Sequence, residues 1–403
     1  MNIKIDSEIG KLQGVILHKP GKELERMTPD TIQEALYSDI LNQEIASDEY
    51  SFFEGVLKKN TQVFYVEDLL EKILSEVEVK KNIVEHVCAM HHVPELQATL
   101  LSMSAGDLAD VMIAGYERKG DFSINRYPIP PMYNFYFTRD ASVSIHQKVL
   151  INRMRFPVRA RESYLMEMIF RHAFGAETFH LQAENGHVEG GDVLVAREDV
   201  LLVGNGCRTS KSAIEAMVKH AQQENKLQYI VVQELPEKPD SFIHLDMVFT
   251  FLDRNACMCF QPLIAQPSAY HTTLITIEGS QVKYTEKTDL LAALKSLDFD
   301  LEPVSCGNPA DIWNQQREQW HSGANFFAMA PGKVIGYARN SQTIDQLAKV
   351  GFDVIPAADI VNNVDHIDRH QRCVVTLSGC ELPRGGGGAR CMTMPVCREK
   401  VNW

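Results

Sequence analysis

Short runs of apolar residues, rich in valine and isoleucine, recur along the whole chain of 403 residues. Runs of this length, bounded by polar and turn-forming residues, are typical of strands that are buried in a sheet. They lie at residues 14–17, 62–66, 149–151, 193–195, 200–203, 229–232, 247–251, 274–277, 334–337 and 353–355. The pattern predicts many short buried strands, spread from one end of the chain to the other.

Stretches with an amphipathic helical period lie between these runs. The first is predicted to begin at Thr28, because Pro29 would then occupy the first helical position, which tolerates its missing N–H. Others fall at residues 49–58, 159–171, 210–222, 288–297 and 341–350. This alternation predicts a mixed α/β fold. The strand–helix units have similar sizes, which suggests a structural repeat, although no repeat is legible at the level of residues.

Two segments depart from the alternation. Residues 68–117 have a helical period almost throughout and contain no convincing strand, which predicts an all-helical insertion at residues 68–125. The proline-rich residues 126–131 then return the chain to the α/β part. Residues 362–379 are polar and irregular, and we expect them to form a surface excursion.

Composition and charge restrict the partners. With 45% hydrophobic and 23% charged residues, the chain has the composition of a folded globular protein. A net charge of -13 argues against nucleic-acid and anionic-membrane partners, because it offers no global positive field. The same charge is compatible with a cationic substrate.

The cysteines and the N-terminal residues bear on localisation. The nine cysteines are odd in number and have no framework spacing, which favours reduced thiols in the cytoplasm over a disulfide scaffold. The first residues carry charges where a signal peptide requires an apolar run. No apolar run approaches the roughly 18 residues of a membrane-spanning helix.

The clearest candidate for chemistry is a cysteine close to the C-terminus. Four consecutive glycines, residues 385–388, precede Cys391. Such a run is costly inside a helix or strand and suits a loop whose backbone passes close to something small. Cys391 is therefore well placed to present its sulfur to a ligand. By itself, however, a free cysteine is more often a small buried hydrophobe.

Three further clusters combine acids with other polar residues. His244 and Asp246 precede an apolar run, and in a strand they would point to the same face. Residues 189–192 (EGGD) place two acids around a tight turn. Residues 137–140 (FTRD) fit the end of a strand. Taken one at a time, each is also typical of solvated surface or turn residues.

Taken together, these clusters suggest covalent catalysis on a cation. A thiolate nucleophile and an imidazole acid/base form a recognised pair. Several carboxylates would repel the oxyanion that forms from an amide substrate. They suit a guanidinium, which is planar, permanently charged and rich in hydrogen-bond donors.

At this point the sequence resembles the arginine deiminases of the guanidine-modifying, or pentein, superfamily. The resemblance covers nearly the whole chain and includes SEIGKLQGVILHKPG, FTRD, VEGGD, VGNGCRTS, HLDMVF, REQW, GGARCMTMP and VCREKV in this order. It implies an α/β fold, a five-bladed α/β propeller of pseudo-fivefold ββαβ units. It also implies a single catalytic domain over residues 1–403, interrupted by the helical insertion at 68–125.

The resemblance also implies the reaction and the residues that perform it. The expected reaction is deimination of free L-arginine to L-citrulline and ammonia through a covalent thiouronium intermediate on Cys391, with water as co-substrate and without metal or cofactor. The expected catalytic residues are Cys391, His244, Glu189, Asp140 and Asp246. The expected substrate-binding residues are Asn134, Arg159 and Arg208, together with Asp140 and Asp246. A homo-oligomer is the usual assembly for such enzymes.

One position departs from the family pattern. Family members commonly read GRGRGG before the cysteine segment, and the second arginine helps to gate the site. In this chain Arg384 matches the first arginine, but Gly386 stands in place of the second. The departure bears on the gating and on the choice of guanidino substrate.

Three alternatives remain open at this stage. The first is a related enzyme that acts on another guanidino compound, by amidino transfer or by double hydrolysis. The second is a metal-dependent hydrolase built on His187, Glu189, His244 and Asp246. The third is a guanidine-binding protein without activity.

Overall fold

The strands are short and follow the apolar runs along the chain. The computed structural model describes residues 1–118, 126–224 and 226–403. The strands are β1 (Leu12–Leu17), β2 (Gln62–Tyr65), β3 (Ser142–Ile145), β4 (Lys148–Ile151), β5 (Glu177–Phe179), β6 (Val193–Arg197), β7 (Val200–Asn205), β8 (Tyr229–Glu234), β9 (Phe249–Asp253), β10 (Ala256–Cys259), β11 (Thr272–Glu278), β12 (Gln281–Lys287), β13 (Glu302–Ser305), β14 (Phe327–Ala330), β15 (Lys333–Tyr337), β16 (Asp353–Pro356), β17 (Cys373–Leu377) and β18 (Met394–Arg398).

Helices connect many of these strands. They are α1 (Lys22–Glu25), α2 (Gln43–Asn60), α3 (Val66–Leu74), α4 (Val77–Met90), α5 (Gln97–Leu101), α6 (Ala105–Ala114), α7 (Ala160–Ala173), α8 (Lys211–Glu224), α9 (Gln261–Ile264), α10 (Leu290–Lys295), α11 (Ile312–Trp320), α12 (Ser341–Lys349) and α13 (Ala357–Val361). The side chains of Asn42, Asp289 and Asp311 cap α2, α10 and α11 by accepting backbone N–H groups of the first turn. Within the described ranges, no helix combines the length and apolar character needed to cross a bilayer.

One pattern of strand pairing repeats in all the sheets. The described strands form five sheets, and each contains an antiparallel pair whose second strand also pairs with a parallel strand. The triples are β18-β1-β2, β3-β4-β5, β6-β7-β8, β9-β10-β13 and β14-β15-β17. A helix lies in each connection to the parallel strand, as such crossovers require. The fold is therefore mixed α/β and is built from repeated ββαβ units.

The two ends of the chain complete one unit together. β18, close to the C-terminus, pairs antiparallel with β1, and β1 pairs parallel with β2. Two other units carry additions. The β11–β12 hairpin extends the sheet that contains β8, and β16 pairs with β17 at the edge of its sheet.

Four helices, α3 to α6, lie between β2 and β3. Together with α7 they bury a core that includes Leu70, Ile83, Leu108 and Leu165. Each such side chain contributes roughly 1.5–3 kcal/mol on burial, which fixes these helices against the sheets. The end of the insertion predicted at 68–125 falls on residues 119–125, which lie outside the described residues.

Two sequence-based expectations are wrong. The helix expected from Thr28 is absent: the chain forms turns there, and Leu36 has a φ of 65°, which breaks any helical ladder. The surface excursion expected at residues 362–379 contains β17, a strand that lies between β15 and β16. Val374 is fully buried there. Because the residues around β17 are polar, the sequence pattern did not reveal this short, largely buried strand.

Candidate active site

The site lies where the repeated units meet. The segment just before the first strand of each unit contributes one or two polar side chains. These residues stand between two and five positions before their strands: Asp140 before β3, Glu189 before β6, His244 and Asp246 before β9, Asn325 before β14, and Cys391 before β18. Equivalent positions in the five units therefore supply the thiol, the imidazole, the amide and the carboxylates of one site.

The glycine run allows the loop before Cys391 to pack closely against its surroundings. A side chain at Gly385 would collide with the hydroxyl of Tyr136, and one at Gly387 would collide with the ring of Phe137. Gly386 has open space around its Cα and a φ of 87°, which favours glycine for conformational reasons alone. The backbone thus lies against protein side chains, and the sulfur of the buried Cys391 lines the cavity beyond them.

His244 is held between two carboxylates. Its Nε2 lies 3.0 Å from Oε2 of Glu189, and its Nδ1 lies 3.8 Å from Oδ1 of Asp140. Residues 245–247 form a short 3₁₀ turn, so the expected strand geometry at His244 and Asp246 is wrong, although both side chains are buried in the site. The 3₁₀ turn sends the two side chains to different partners.

These contacts set the protonation of the histidine. Burial alone would lower the pKa of His244, but the charge of Asp140 and the hydrogen bond to Glu189 raise that pKa to about 9. Burial likewise opposes the ionisation of Glu189, whereas Arg208 and His244 hold the pKa of Glu189 well below its usual range. The free site therefore contains an imidazolium and a carboxylate at neutral pH.

The thiol faces a second carboxylate. Oδ2 of Asp246 lies 3.8 Å from Sγ of Cys391 and accepts a 2.8 Å hydrogen bond from Arg390. Burial raises the pKa of the Cys391 thiol well above its usual range, and the charges of Asp246 and Asp140 raise it further. Without a ligand the sulfur is therefore protonated.

The arginines expected to hold a substrate carboxylate are paired with acids of the site. Arg159 donates to Oδ2 of Asp140 at 2.7 Å and forms a two-pronged ion pair with Glu162. Arg208 donates to Oε2 of Glu189 at 2.9 Å. Each guanidinium thus compensates a buried acid, which makes the group of acids tolerable inside the protein.

Most of the expected residues share one cavity of about 520 Å³. Its lining includes Asn134, Asp140, Arg159, Arg208, His244 and Cys391. Glu189 and Asp246 lie behind this lining and contact it through His244 and Cys391. The side-chain amide of Asn134 already donates one hydrogen bond, to the carbonyl of Ala35 at 2.7 Å.

Two carboxylate oxygens of the site have no hydrogen-bond partner within the described part of the chain. They are Oδ1 of Asp140 and Oδ1 of Asp246, and both are buried. A buried oxygen of this kind is costly unless a ligand satisfies it. Both carboxylates are close enough to Cys391 to raise the pKa of its thiol. A cation with several N–H donors, bound next to the sulfur, would supply the hydrogen bonds that these two oxygens lack.

Sequence reasoning missed two residues that hold the nucleophile. Asn325 donates from its side-chain amide to Sγ of Cys391 at 3.2 Å. Arg390 joins Asp246 to Glu8, with which it makes hydrogen bonds of 2.9 and 3.1 Å. Arg390 could have been suspected from its place beside the cysteine. Asn325 could have been found only by aligning the five units on their first strands.

A metal site on the residues named above is only partly assembled. Asp140, Glu189 and His244 place one ligand atom each within 4.8 Å of one another. His187 is directed elsewhere, since its Nδ1 donates to the carbonyl of Arg208 at 2.9 Å. Both acids of the trio already form ion pairs with arginine. This donor set suits a cationic ligand that donates hydrogen bonds better than it suits a metal ion.

Comparison with known proteins shows a family that matches nearly the whole chain. The family model described as "Arginine deiminase" matches residues 33–398. An arginine deiminase of Bacillus thuringiensis subsp. konkukian (strain 97-27) is 32% identical over 430 aligned positions that cover 99% of both chains. One of Limosilactobacillus reuteri (strain DSM 20016) is 32% identical, covering 99% of this chain and 98% of the relative.

Solved structures with the same fold are more distant in sequence. The N-terminal domain of ArgZ, covalently bound to a reaction intermediate, matches with a TM-score of 0.55 and 14% identity, covering 96% of this chain and 98% of that one. A dimethylarginine dimethylaminohydrolase adduct with S-methyl-L-thiocitrulline matches with a TM-score of 0.53 and 12% identity, covering 95% and 99%. These likenesses show that the chain has the pentein fold.

Proposed function

Because the chain belongs to the arginine deiminase family, we propose that it hydrolyses free L-arginine to L-citrulline and ammonia. The observation that carries this proposal is the pair of unpartnered buried oxygens on Asp140 and Asp246, next to the Cys391 thiol. A guanidinium offers donors to both oxygens and places its electrophilic carbon near the sulfur. Full-length relatives named arginine deiminase support the same activity.

Substrate binding would activate the nucleophile. The positive guanidinium offsets the charges of Asp140 and Asp246, so it lowers the pKa of the thiol, whose proton leaves to solvent. The thiolate of Cys391 then forms a bond to the central guanidinium carbon. Imidazolium His244 donates its proton to one terminal amino group, and the C–N bond to that group breaks. Ammonia leaves, and an S-alkylthiouronium cation remains on Cys391.

Hydrolysis would return the enzyme to its first state. Neutral His244 takes a proton from water, and the hydroxide adds to the thiouronium carbon. The C–S bond breaks and releases the thiolate of Cys391, while the product loses a proton and becomes citrulline. The released proton converts ammonia to ammonium, and the thiolate regains from solvent the proton that it lost on substrate binding. One arginine cation and one water thus give one citrulline and one ammonium. Glu189 would keep His244 oriented throughout and would favour its return to the charged form.

The α-substituents of the substrate would be held by Asn134, Arg159 and Arg208. All three line the cavity that contains the thiol. Because Arg159 and Arg208 start in ion pairs with Asp140 and Glu189, we infer that substrate binding redistributes these pairs. If the guanidinium of the substrate binds Asp140, the N–H groups of Arg159 that contacted Asp140 become available for the substrate carboxylate.

Citrulline and ammonia measured with arginine as the sole substrate test the proposal. We expect one citrulline per ammonia, and we expect Cys391→Ser to abolish both while its unfolding midpoint stays close to that of the wild type. Ornithine with two ammonia molecules would instead indicate a dihydrolase. Activity that resists thiol alkylation but is lost with a strong chelator would indicate a metal-dependent hydrolase.

We also propose a five-bladed arrangement of the units about a common axis. The five ββαβ units and the five equivalent segments that meet at the site support it. Residues 1–403 would then form a single catalytic domain, with residues 68–125 inserted between two blades. The free state of every cysteine among the described residues fits a cytoplasmic protein. Homo-oligomerisation stays an expectation that sedimentation would test.

A further inference from the structure

A second cavity lies behind the active site. It has a volume of about 660 Å³, which is in the range of small-molecule sites. Its walls come from α4, α7, the segment after β4 and the loop at residues 180–188. None of the residues assigned to catalysis or to substrate lines it. The cavity is therefore distinct from the site that contains Cys391.

The lining of this second cavity is cationic, although the whole protein carries a net charge of -13. The side chains of Arg153 and Arg155 are exposed, and neither has a carboxylate partner within the described ranges. Glu167 is the one carboxylate among the described lining residues, and it is already paired with Arg171 and His180 at 2.6 and 3.0 Å. Arg155 lies over the ring of Phe156, 5.8 Å from its centroid. Two guanidiniums without a carboxylate partner, beside an acid that is already paired, favour an anion.

Two buried polar atoms in the lining also lack partners. Oγ of Ser163 and Oδ1 of Asn152 make no hydrogen bond in the described part of the chain, although these residues are only 6% and 2% exposed. Unsatisfied buried polar atoms are rare, because each costs free energy comparable to a lost hydrogen bond. A ligand in this cavity could satisfy the hydroxyl of Ser163 and offer a donor to the amide oxygen of Asn152.

Apolar surface is available for the organic part of such a ligand. The rings of His86 and Tyr164 are stacked with centroids 3.8 Å apart, and Met90 and Leu181 line the same space. Burial lowers the pKa of His86, so its ring is uncharged at neutral pH. Inorganic phosphate alone would fill only a small part of this volume.

We propose that this cavity binds a small organic oxyanion, phosphorylated or carboxylated, whose charge is held by Arg153 and Arg155. Guanidinium groups recognise both kinds of oxyanion through paired N–H donors. The unpartnered hydroxyl of Ser163 provides a further contact inside the cavity. The binding site itself does not depend on the proposed deiminase activity.

The wall of this cavity is bonded directly to the active-site acids. Asn152, which lines the cavity, donates from its side chain to the carbonyl of Asp140 at 2.7 Å. The backbone N–H of Arg155 donates to Oε1 of Glu189 at 3.1 Å. A ligand that moves this segment would therefore shift the two acids that flank His244, which provides a physical route for coupling between the two sites.

Binding is tested with adenosine monophosphate as the phosphate probe and malonate as the carboxylate probe, against chloride at equal ionic strength. The readouts are calorimetry and the thermal unfolding midpoint of the full chain. We expect saturable binding by at least one probe, weakened about tenfold or more in the double variant Arg153→Gln and Arg155→Gln. Arg254→Gln, at an exposed arginine in the turn between β9 and β10, is the matched control and should bind as the wild type does. Equal binding by the double variant, or none by the wild type, would overturn the proposal.

A second variant tests the interior of the cavity. Ser163→Ala removes a hydroxyl without a partner, so the unfolding midpoint without ligand should be unchanged or raised. The affinity for the bound probe should fall about two- to tenfold, the effect of one hydrogen bond. Unchanged affinity would place the anion outside this cavity and refute the assignment.

Coupling is a separate readout, and it rests on the proposed deiminase function. The bound probe should change kcat or KM for arginine without competing with it, and the change should disappear in the double variant. Competition with arginine that persists in the double variant would place the anion in the active site and overturn the proposal. If the chain does not turn over arginine at all, calorimetry with the wild type and the variants still tests whether the cavity binds the anion.

Discussion

The side-chain amide nitrogen of Asn325 lies 3.2 Å from the sulfur of Cys391, and its amide oxygen accepts the backbone N–H of Arg390 at 2.9 Å. One amide thus orients both the nucleophilic side chain and the backbone that carries it. The hydrogen bond from this N–H occupies one side of the sulfur. The substrate carbon must therefore approach the sulfur from another side. Asn325 is therefore a positioning residue for the proposed chemistry.

Asn325→Asp tests this role with almost no change in shape. The new carboxylate removes the N–H donor and adds a negative charge next to the thiol, so the pKa of Cys391 should rise further. We expect the thiolate fraction at neutral pH to fall about tenfold or more, and kcat with it. The pH dependence of alkylation by iodoacetamide measures the shift. Asn82→Asp, at an exposed position of α4, is the control. An alkylation profile that matches the wild type would refute the role.

The buried ion pairs of Arg390 should matter for stability. Arg390 is 1% exposed and compensates both Glu8 and Asp246. Burial opposes its charge, but the two acids hold the pKa of Arg390 above its usual value. Arg390→Met would remove the ion-pair partner of the fully buried Asp246 and of the partly buried Glu8, and we expect a loss of about 3–5 kcal/mol in unfolding free energy, measured by urea denaturation.

A matched surface pair and a double variant support the interpretation of that loss. Lys22→Met breaks the exposed pair with Asp110, whose side chains are 62% and 50% exposed, and should cost no more than about 1 kcal/mol. Adding Glu8→Gln to Arg390→Met should restore part of the lost stability, because one uncompensated charge is removed. A double variant no more stable than the single one would show that packing, and not charge, explains the loss.

The sequence located the residues that meet around the cavity better than it located the connections between them. Cys391 and the acids stand in local motifs, and the resemblance to a family, rather than spacing alone, distinguished these motifs from ordinary turn and surface residues. Asn325 is 66 residues from Cys391, and their contact arises only when two units pack together. β17 was missed because its polar neighbours masked a strand with only four apolar residues, and the turn at Leu36 was missed because a positive φ leaves no periodic signal.

The raised pKa of His244, about 9, predicts a pH dependence of stability. A histidine whose folded pKa exceeds its unfolded value of 6.5 contributes stability that is fully present below pH 6.5 and is lost as the pH rises through about 9. We therefore expect the stability advantage of wild type over His244→Gln to shrink between about pH 7 and pH 10.

Urea denaturation over that range measures the difference. Burial raises the pKa of Asp192 to about 7, so the slope is best compared above about pH 8, where Asp192 is already ionised in the wild type. His180→Gln, at a histidine whose side chain is 50% exposed, should show a smaller pH dependence than His244→Gln. A constant gap between wild type and His244→Gln would mean that His244 is not charged in the folded protein.

The glycine run should tolerate substitution at one position and resist it at another. Gly386 has open space at its Cα, so Gly386→Ala meets only the cost of a left-handed backbone, about 1 kcal/mol. A side chain at Gly387 collides with the buried ring of Phe137, so Gly387→Ala must displace the loop that carries Cys391. We expect Gly386→Ala to keep most of the kcat and Gly387→Ala to lose it, since a nucleophile displaced by about 1 Å can cost 100-fold. Circular dichroism and kinetics of the two variants give the comparison. Equal losses at both positions would mean that conformational freedom, rather than close packing, explains the run of glycines.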